Sequence, residues 1–511
     1  MKTICVAGKN DIAVNVLLHL LKFYSHEFKL VVTCNSNENG INSWQKSLRY
    51  FAKQYNVPEV KLTDLYEIAD LIFISCEYDK LIDVSKFKTT ELFNIHFSKL
   101  PAYKGCSTSV HPLLNGEKEV GVTFHKIARG CDTGEIISQR VFSVCDDDSA
   151  YDLYLSYLDY GTKEIIKNIP SVLNKSYQSK PQSSIGSSFY SRKSLDFSNL
   201  KLNCFKTAIE IINQVRAFCF RPYQLITFNG KAIVCAEITN SVSTLKPGSI
   251  VNSDEFSVTV SSIDYDVVLY YDYFDKFLEC CKSGDLSKLQ NLPCINNYIK
   301  AKNQQGWTGL IVATYNNQKH VVKWLLTHGA SVDDVNNNGT NLLMYAKDAF
   351  VKSQDLSLLT FYLSQGLSPY QKDYFGYNLY YYIENIDFSL KSQLQEIFSS
   401  FGYNNKYLVN QCDSCGGGGG GINSVIPFSF DYLLSIPSLQ NCLFLFLVNF
   451  LMLKSCFHLY LFLQFNTLSY ETVGERFTLK LFKIRCIAMS LSAIAKASVD
   501  TVKPSIVLSL Y

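Results

Sequence analysis

Short apolar runs alternate with amphipathic stretches along roughly the first 145 residues. "TICVAG" is an apolar run ending in Gly, and "FKLVVTC", "ADLIFISC" and "ELFNIHF" follow it. Their length and β-branched content predict buried strands. Between them, "DIAVNVLLHLLKFY" and "SWQKSLRYFAKQY" carry apolar residues at helical spacing, the first behind an Asp cap. Such alternation predicts a parallel sheet with helices on both faces. "EVGVTFHKIA" and "EIISQRVFSV" read as two strands around the turn "RGCDTG", and "SAYDLYLSYLDYGTKEIIKNI" as a long closing helix. The fold class is therefore α/β, with a Rossmann-like, mostly parallel sheet over residues 1–178.

The pattern then changes. "SYQSKPQSSIGSSFYSRK" is rich in Ser, Pro and Gly and reads as a linker. Residues 190–273 read as a small α+β module, with a helix in "CFKTAIEIINQVRAF" and a hairpin turn at "FNGK". From 274 to 408 the pattern is all-α and weakly periodic. Gly306 opens a Gly-Trp-Thr, Gly339 follows thirty-three residues later and Gly376 after a longer unit, while Gly329 and Gly366 follow each second helix. This period resembles that of ankyrin repeats. "TGLIVA" is similar to that family's T-P-L-H-x-A, with Gly309 for the Pro and Ile311 for the His. Residues 412–511 hold a run of six Gly (416–421), a flexible linker, and then a hydrophobic tail. The charge-free run from Cys442 to Leu453 is shorter than the about 20 residues that a membrane span needs. Asn449 interrupts it, and Lys454 and His458 follow. The tail reads as translated from sequence not selected as protein, rather than as an anchor.

Composition narrows the function. A chain of 511 residues has room for about two to four domains. A net charge of +3 gives no broad basic surface, which argues against nucleic-acid partners. The 17 Cys are scattered through apolar runs, not regularly spaced, and read mostly as small buried thiols in a reducing compartment. Cys412-x-x-Cys415 has no second pair, so no zinc is expected. "MKTICVAGKN" lacks the apolar core of a signal peptide. The expected location is cytoplasmic.

Asn94 and His96 stand two residues apart at the end of "ELFNIHF", so their side chains share one face of a strand. They lie at its C-terminal end, where open α/β sheets bind ligands. Alone, the pair reads as a satisfied structural histidine. About thirty-five residues on, Asp132 sits between Gly130 and Gly134 in a turn that lets backbone amides approach a ligand. Together, "NIHFSKLPAYKG" and "GVTFHKIARGCDTGEII" resemble the N10-formyltetrahydrofolate-dependent formyltransferases, over roughly residues 1 to 275. That resemblance implies a formyltransferase-type sheet and a catalytic trio of Asn94, His96 and Asp132. It also implies a folate-binding set of Glu77, Tyr78, Ser98, Lys99, Leu100, Pro101, Gly105 and Gly130. The formyl donor would be N10-formyltetrahydrofolate, with no metal. The chemistry suits the residue types. A His with an ordinary pKa of about 6.5 can take the proton an attacking amine sheds. An Asn amide can donate to the oxyanion, worth on the order of 3 kcal/mol. An Asp can orient and stabilise the charged imidazole.

Within that family the acceptor differs. The tRNA enzyme would carry more basic surface and a larger C-terminal domain, and the purine-precursor enzyme would leave residues 190 to 275 idle. "VAGKNDIAVNVL", "DLIFISCEYDKLI", "IINQVRAFCFRPY" and "SIDYDVVLYYD" resemble the sugar N-formyltransferases instead. An appended ankyrin region favours the type acting on a dTDP-linked 3-amino-3,6-dideoxyhexose. Gly8-Lys9-Asn10 lacks the further glycines of a dinucleotide fingerprint. Lys9 and Asn10, with Arg192, Lys193, Arg216 and Tyr223, are candidates for the nucleotide sugar, with a solvated Lys9 as the alternative. Trp307 is a candidate to stack on a ligand of the repeats, or else a core residue sealing the stack. The repeats would hold a ligand or a protein, and a homodimer is compatible with the resemblance. The alternatives are a methionyl-tRNA formyltransferase-like enzyme and a non-catalytic ankyrin protein with a relic domain.

Overall fold

The computed structural model describes residues 1–403. The six-Gly run, the Cys412/Cys415 pair, the tail and the last residues of the expected repeat span lie outside them. In chain order the first module is β1 (Thr3–Gly8), α1 (Asn10–Tyr24), β2 (Lys29–Cys34), α2 (Leu48–Gln54), β3 (Leu71–Cys76), β4 (Leu92–His96), β5 (Lys104–Gly105), α3 (His111–Leu114), β6 (Glu119–Lys126), β7 (Ile136–Ser143) and α4 (Ala150–Leu173). Its six-stranded sheet has the order β2-β1-β3-β4-β6-β7. The first four strands run parallel and the last two pairings are antiparallel. This is the mostly parallel sheet that the pattern predicts.

The expectation of helices on both faces needs correction. Alternate strand residues Ile4, Val6, Val32, Ile74 and Ile95 share one core with α1, α2 and α4. The other set, Cys5, Ala7, Val31, Phe73 and Leu92, packs under Leu65, Phe87 and their neighbours. Only single 3-10 turns at Leu62–Leu65 and Val84–Lys86 occur there. The connections between β2 and β4 hold a single α-helix, α2, and α2 joins the first face. Helix α4 starts at a capping box in which Ser149 accepts from the Asp152 N–H, a cap worth about 1 kcal/mol. Gly8 ends β1 at φ +144, and a Cβ there would lie 1.8 Å from the Cys76 carbonyl oxygen. The glycine thus lets the ends of β1 and β3, where the cleft begins, come close.

The second module has β8 (Phe189–Tyr190), α5 (Ala208–Ala217), β9 (Thr227–Phe228), β10 (Lys231–Val242), β11 (Ile250–Ser253), β12 (Ser257–Val260) and β13 (Tyr265–Tyr271). Its five-stranded sheet runs β11-β12-β13-β10-β9. The expected hairpin at "FNGK" is present, with Asn229 and Gly230 both at positive φ, as a type I′ turn requires. The stretch read as a linker does not run free. Residues Lys180 to Tyr190 lie back along the first module, where β8 pairs with β5 and Lys180 bridges Ile136.

The third module is helical: α6 (Phe274–Ser283), α7 (Leu286–Gln290), α8 (Asn296–Ile299), α9 (Gly309–Tyr315), α10 (Lys319–Thr327), α11 (Leu342–Ser353), α12 (Ser357–Ser364), α13 (Leu379–Tyr382) and α14 (Phe388–Ser400). Thr308, Asn341 and Asn378 cap α9, α11 and α13 in the same way, each side-chain oxygen accepting from the N–H three residues on. The repeat docks on the first module through Tyr374, whose ring meets Phe51 at 5.4 Å. Its carbonyl oxygen accepts from Tyr50 Oη and Gln54 Nε2.

Of the described cysteines, ten are free and seven of those are buried. Cys235 on β10 is bonded to Cys294, an exception to the expectation of thiols. The two meet where the small sheet abuts the first repeat. Among the described residues no helix is long and apolar enough to cross a membrane.

Candidate active site

Strand β4 carries Asn94 and His96 to its C-terminal end, and the register sets Asn94 opposite His125 and His96 opposite Thr123 on β6. The β6–β7 turn brings Asp132 to the same place, at φ +52. The structure thus joins the three residues separated in sequence. His96 Nδ1 lies 3.6 Å from Asp132 Oδ2, with side-chain exposures of 9% and 12%. Asn94 Nδ2 donates to Asp132 Oδ1 across a long 3.4 Å, and the Gly105 N–H donates to Asp132 Oδ2 at 2.9 Å.

His96 Nε2 donates to the carbonyl oxygen of Tyr103 at 2.8 Å. A carbonyl can only accept, so the neutral ring carries its proton on Nε2 and keeps a lone pair on Nδ1. Burial pushes the His96 pKa below its usual value, against the opposing pull of Asp132 and the Tyr103 carbonyl. Burial also presses the Asp132 carboxyl upward. His96, His125 and the Gly105 amide outweigh it and hold that group well below the usual carboxylate range.

His125 was not singled out from sequence. It is 2% exposed, and its Nδ1 donates to the Lys126 carbonyl at 2.7 Å. Its Nε2 therefore accepts from Asn94 Nδ2, 3.2 Å away, which fixes which end of the Asn94 amide carries hydrogen. The available signal was the polar pair Thr123 and His125, two apart on a strand seven residues before Asp132.

These groups floor a cleft of about 740 Å³ at the strand ends. Glu77, Tyr78, Gly105 and Gly130 line it, as do Lys9 and Arg192. Asn35 Oδ1, Tyr78 Oη and Asp79 Oδ1, also in its wall, are buried polar atoms without a protein partner. A cleft of this size, with an apolar side at Ile82 and Ile127 and those unpaired polar atoms, fits a ligand the size of a folate.

Other expected contacts lie elsewhere. Ser98 Oγ donates to the Ala102 carbonyl, Leu100 N donates to Thr123 Oγ1, and Lys99 pairs with Glu119, so these side chains build the loop and do not face the cleft. Pro101 follows a cis peptide in that loop. Asn10 donates to Glu77 Oε2 at 3.0 Å, and Tyr154 donates to the same oxygen at 2.8 Å. Burial raises the Glu77 carboxyl pKa despite those two donors. Arg216 is spent on the carbonyls of Asp148 and Cys145. Tyr223 is exposed and accepts from Trp44 Nε1. Neither these two nor Lys193 lines the cleft. Trp307 packs between Tyr315 and Tyr345 inside the repeat module, with ring centroids 5.3 and 5.1 Å away.

Residues 50–169 match the family model described as formyl transferase, and residues 277–359 match that of ankyrin repeats in three copies. A solved sugar 3N-formyl transferase, WlaRD, crystallised with dTDP and 5-N-formyl-THF, is 43% identical. The match covers 53% of this chain and 98% of that one, with a TM-score of 0.50. The N-formyltransferase of Helicobacter canadensis, solved with folinic acid and dTDP-3-aminofucose, is 41% identical over 53% of this chain and 100% of its own, also at TM-score 0.50. The methionyl-tRNA formyltransferase of Malacoplasma penetrans (strain HF-2) is 27% identical over 44% of this chain and 71% of its own length.

Proposed function

The chain belongs to the formyltransferase family, and we propose that it formylates the amino group of a dTDP-linked 3-amino-3,6-dideoxyhexose, of gluco or galacto configuration. The formyl donor is N10-formyltetrahydrofolate. One observation carries the reading: a base, an amide donor and a carboxylate meet at the floor of one cleft whose wall holds Lys9 and Arg192. The 41–43% identity to two sugar enzymes over nearly their whole lengths supports the acceptor.

In this reading the amine attacks the formyl carbon, and His96 Nδ1 takes the proton that the amine sheds. The imidazolium forms beside Asp132, whose carboxylate stabilises it. Asn94 turns its long, weak N–H from Asp132 to the formyl oxygen as that atom gains charge. Its other N–H stays on His125, which keeps the amide from flipping. The proton on His96 then passes to the departing folate nitrogen, and bonds and protons balance. Lys9 and Arg192 meet the diphosphate.

The test is incubation with N10-formyltetrahydrofolate and a panel of dTDP-amino sugars, read by mass spectrometry for one formyl replacing one hydrogen. Formylation of a 3-amino sugar is expected. Turnover of methionyl-tRNA instead would favour the second reading, which the methionyl-tRNA formyltransferases among the relatives support.

A further inference from the structure

We propose that the strap from Lys180 to Tyr190 is a positioning element for formyl transfer. In this proposal Gln182 acts through the Asp132 turn, and Ser188 and Tyr190 act through the loop that orients His96. The proposal rests on the roles assigned to His96 and Asp132 above.

The pattern of burial points to it. From Pro181 to Tyr190 the strap is exposed except at Gln182, Ser188 and Tyr190. Each of those three is tied to a loop holding one of the reacting groups. Gln182 Nε2 donates to the carbonyls of Asp132 and Gly134, at 2.8 and 2.7 Å. These two bonds pin the backbone on both sides of Thr133, in a turn where Asp132 sits in the left-handed region. Ser188 Oγ accepts from the Tyr103 N–H at 2.8 Å, and Ser188 O accepts from Lys104 N at 2.9 Å. Tyr190 stacks on the Tyr103 ring at 5.7 Å, and its carbonyl accepts from Cys106 N at 2.8 Å. Tyr103 is itself at φ +57, and its carbonyl fixes the His96 tautomer. Gly105 in the same loop donates to Asp132. Both supports of the His96–Asp132 pair therefore lean on one strap, and no strap residue need touch substrate to matter. Small displacements suffice, since misplacing a reacting group by about 1 Å costs on the order of 10²-fold in rate.

The experiment uses the full chain with the imidazoles of its eight histidines labelled with nitrogen-15. Gln182→Ala, Ser188→Ala and Ser188→Thr are compared with wild type. In Gln182→Ala and Ser188→Ala, kcat should fall by about tenfold or more with KM for the amino sugar nearly unchanged. The His96 ring should lose its pure Nε2–H signature and bind its proton less tightly. Ser188→Thr keeps the acceptor oxygen and should restore both. If His96 keeps its tautomer and kcat is unchanged in both alanine variants, the positioning role is overturned. The ring signal needs no turnover. It would still decide the strap's role if no amino sugar were formylated, an outcome that would count against the acceptor alone. Should Ser188→Ala fail to fold, Gln182→Glu replaces it. That variant sets an oxygen against two carbonyls and should lower kcat at least as far as Gln182→Ala.

Discussion

The one N–H of neutral His96, on Nε2, donates to the Tyr103 carbonyl 2.8 Å away, so Nδ1 is its one basic atom and lies beside Asp132. Removing that base in His96→Ala should lower kcat by about 10²- to 10⁴-fold. Asn94→Ala should cost about 10²- to 10³-fold, since one oxyanion donor is lost. Steady-state assays would check both, with circular dichroism to show that each variant stays folded. Normal turnover by either would sink the assignment.

The pH profile should follow from burial. The His96 pKa lies below its ordinary 6.5, so kcat/KM should be flat on the alkaline side and fall only at pH values below that. Asp132→Asn removes the anion that helps His96 hold a proton. The acid limb should move to still lower pH, and kcat should drop with it. Stability follows the same signs. Asp132 is held below its ordinary 3.8, so its contribution is full above that pH and lost as pH falls through the folded value. His96 is neutral when folded and protonated when unfolded near its ordinary pKa, so it weakens the fold as pH falls below 6.5.

Glu77 should behave in the opposite sense to Asp132. Its folded pKa is raised above 4.5 by burial, so its contribution is present below that value and lost as pH rises through the folded one. Tyr154 and Asn10 both donate to Oε2, which a Gln could match with its own oxygen. Glu77→Gln should therefore raise the melting temperature at pH 8 and narrow its gap to pH 5, with folate affinity unchanged. Calorimetry at the two pH values and a folate titration would show it. A large loss of folate binding would show instead that the Glu77 side chain, which lines the cleft, contacts the ligand.

Gly339 stands at φ +77, and a Cβ there would meet the Tyr374 ring at 2.6 Å. Gly339→Ala should cost about 1–3 kcal/mol from overpacking. It should also loosen the Tyr374 carbonyl from Tyr50 and Gln54. Urea unfolding should then separate into two transitions, one for the repeats and one for the rest. A single unshifted transition would contradict the docking role of Tyr374.

Strand periodicity placed Asn94 and His96 on one face, but their reading as reacting groups came only with the resemblance of the two motifs to the formyltransferases. The glycines flanking Asp132 marked a turn near a ligand, and the same resemblance made Asp132 the third member of the trio. The equivalent caps Thr308, Asn341 and Asn378 show why a degenerate repeat could still be recognised: the spacing persists while the residues drift. His125 escaped although Thr123 and His125 repeat the two-apart spacing on β6, because a polar pair inside a buried strand reads equally well as satisfied structural groups. The second helical face was over-expected because apolar runs announce burial on both sides of a sheet without saying what covers them. Arg216 and Tyr223 show a further limit. A cation or aromatic near a site in sequence is often spent on a local carbonyl or on its neighbours. The strap was illegible for another reason. Ser, Pro and Gly suit a loose connection and a docked extended segment equally well, and the partners of Gln182 and Ser188 lie 48 to 85 residues earlier.

During synthesis the strap leaves the ribosome after every residue that it braces. Asn94, His96 and Asp132 are all synthesised before α4 begins, yet Gln182 and Ser188 follow only after α4 ends. A nascent chain halted at the end of α4 would hold every strand of the large sheet with both reactive loops unbraced. Under the proposed role, bracing of the two reactive loops waits until the strap itself has been made, although that segment contributes no reacting atom.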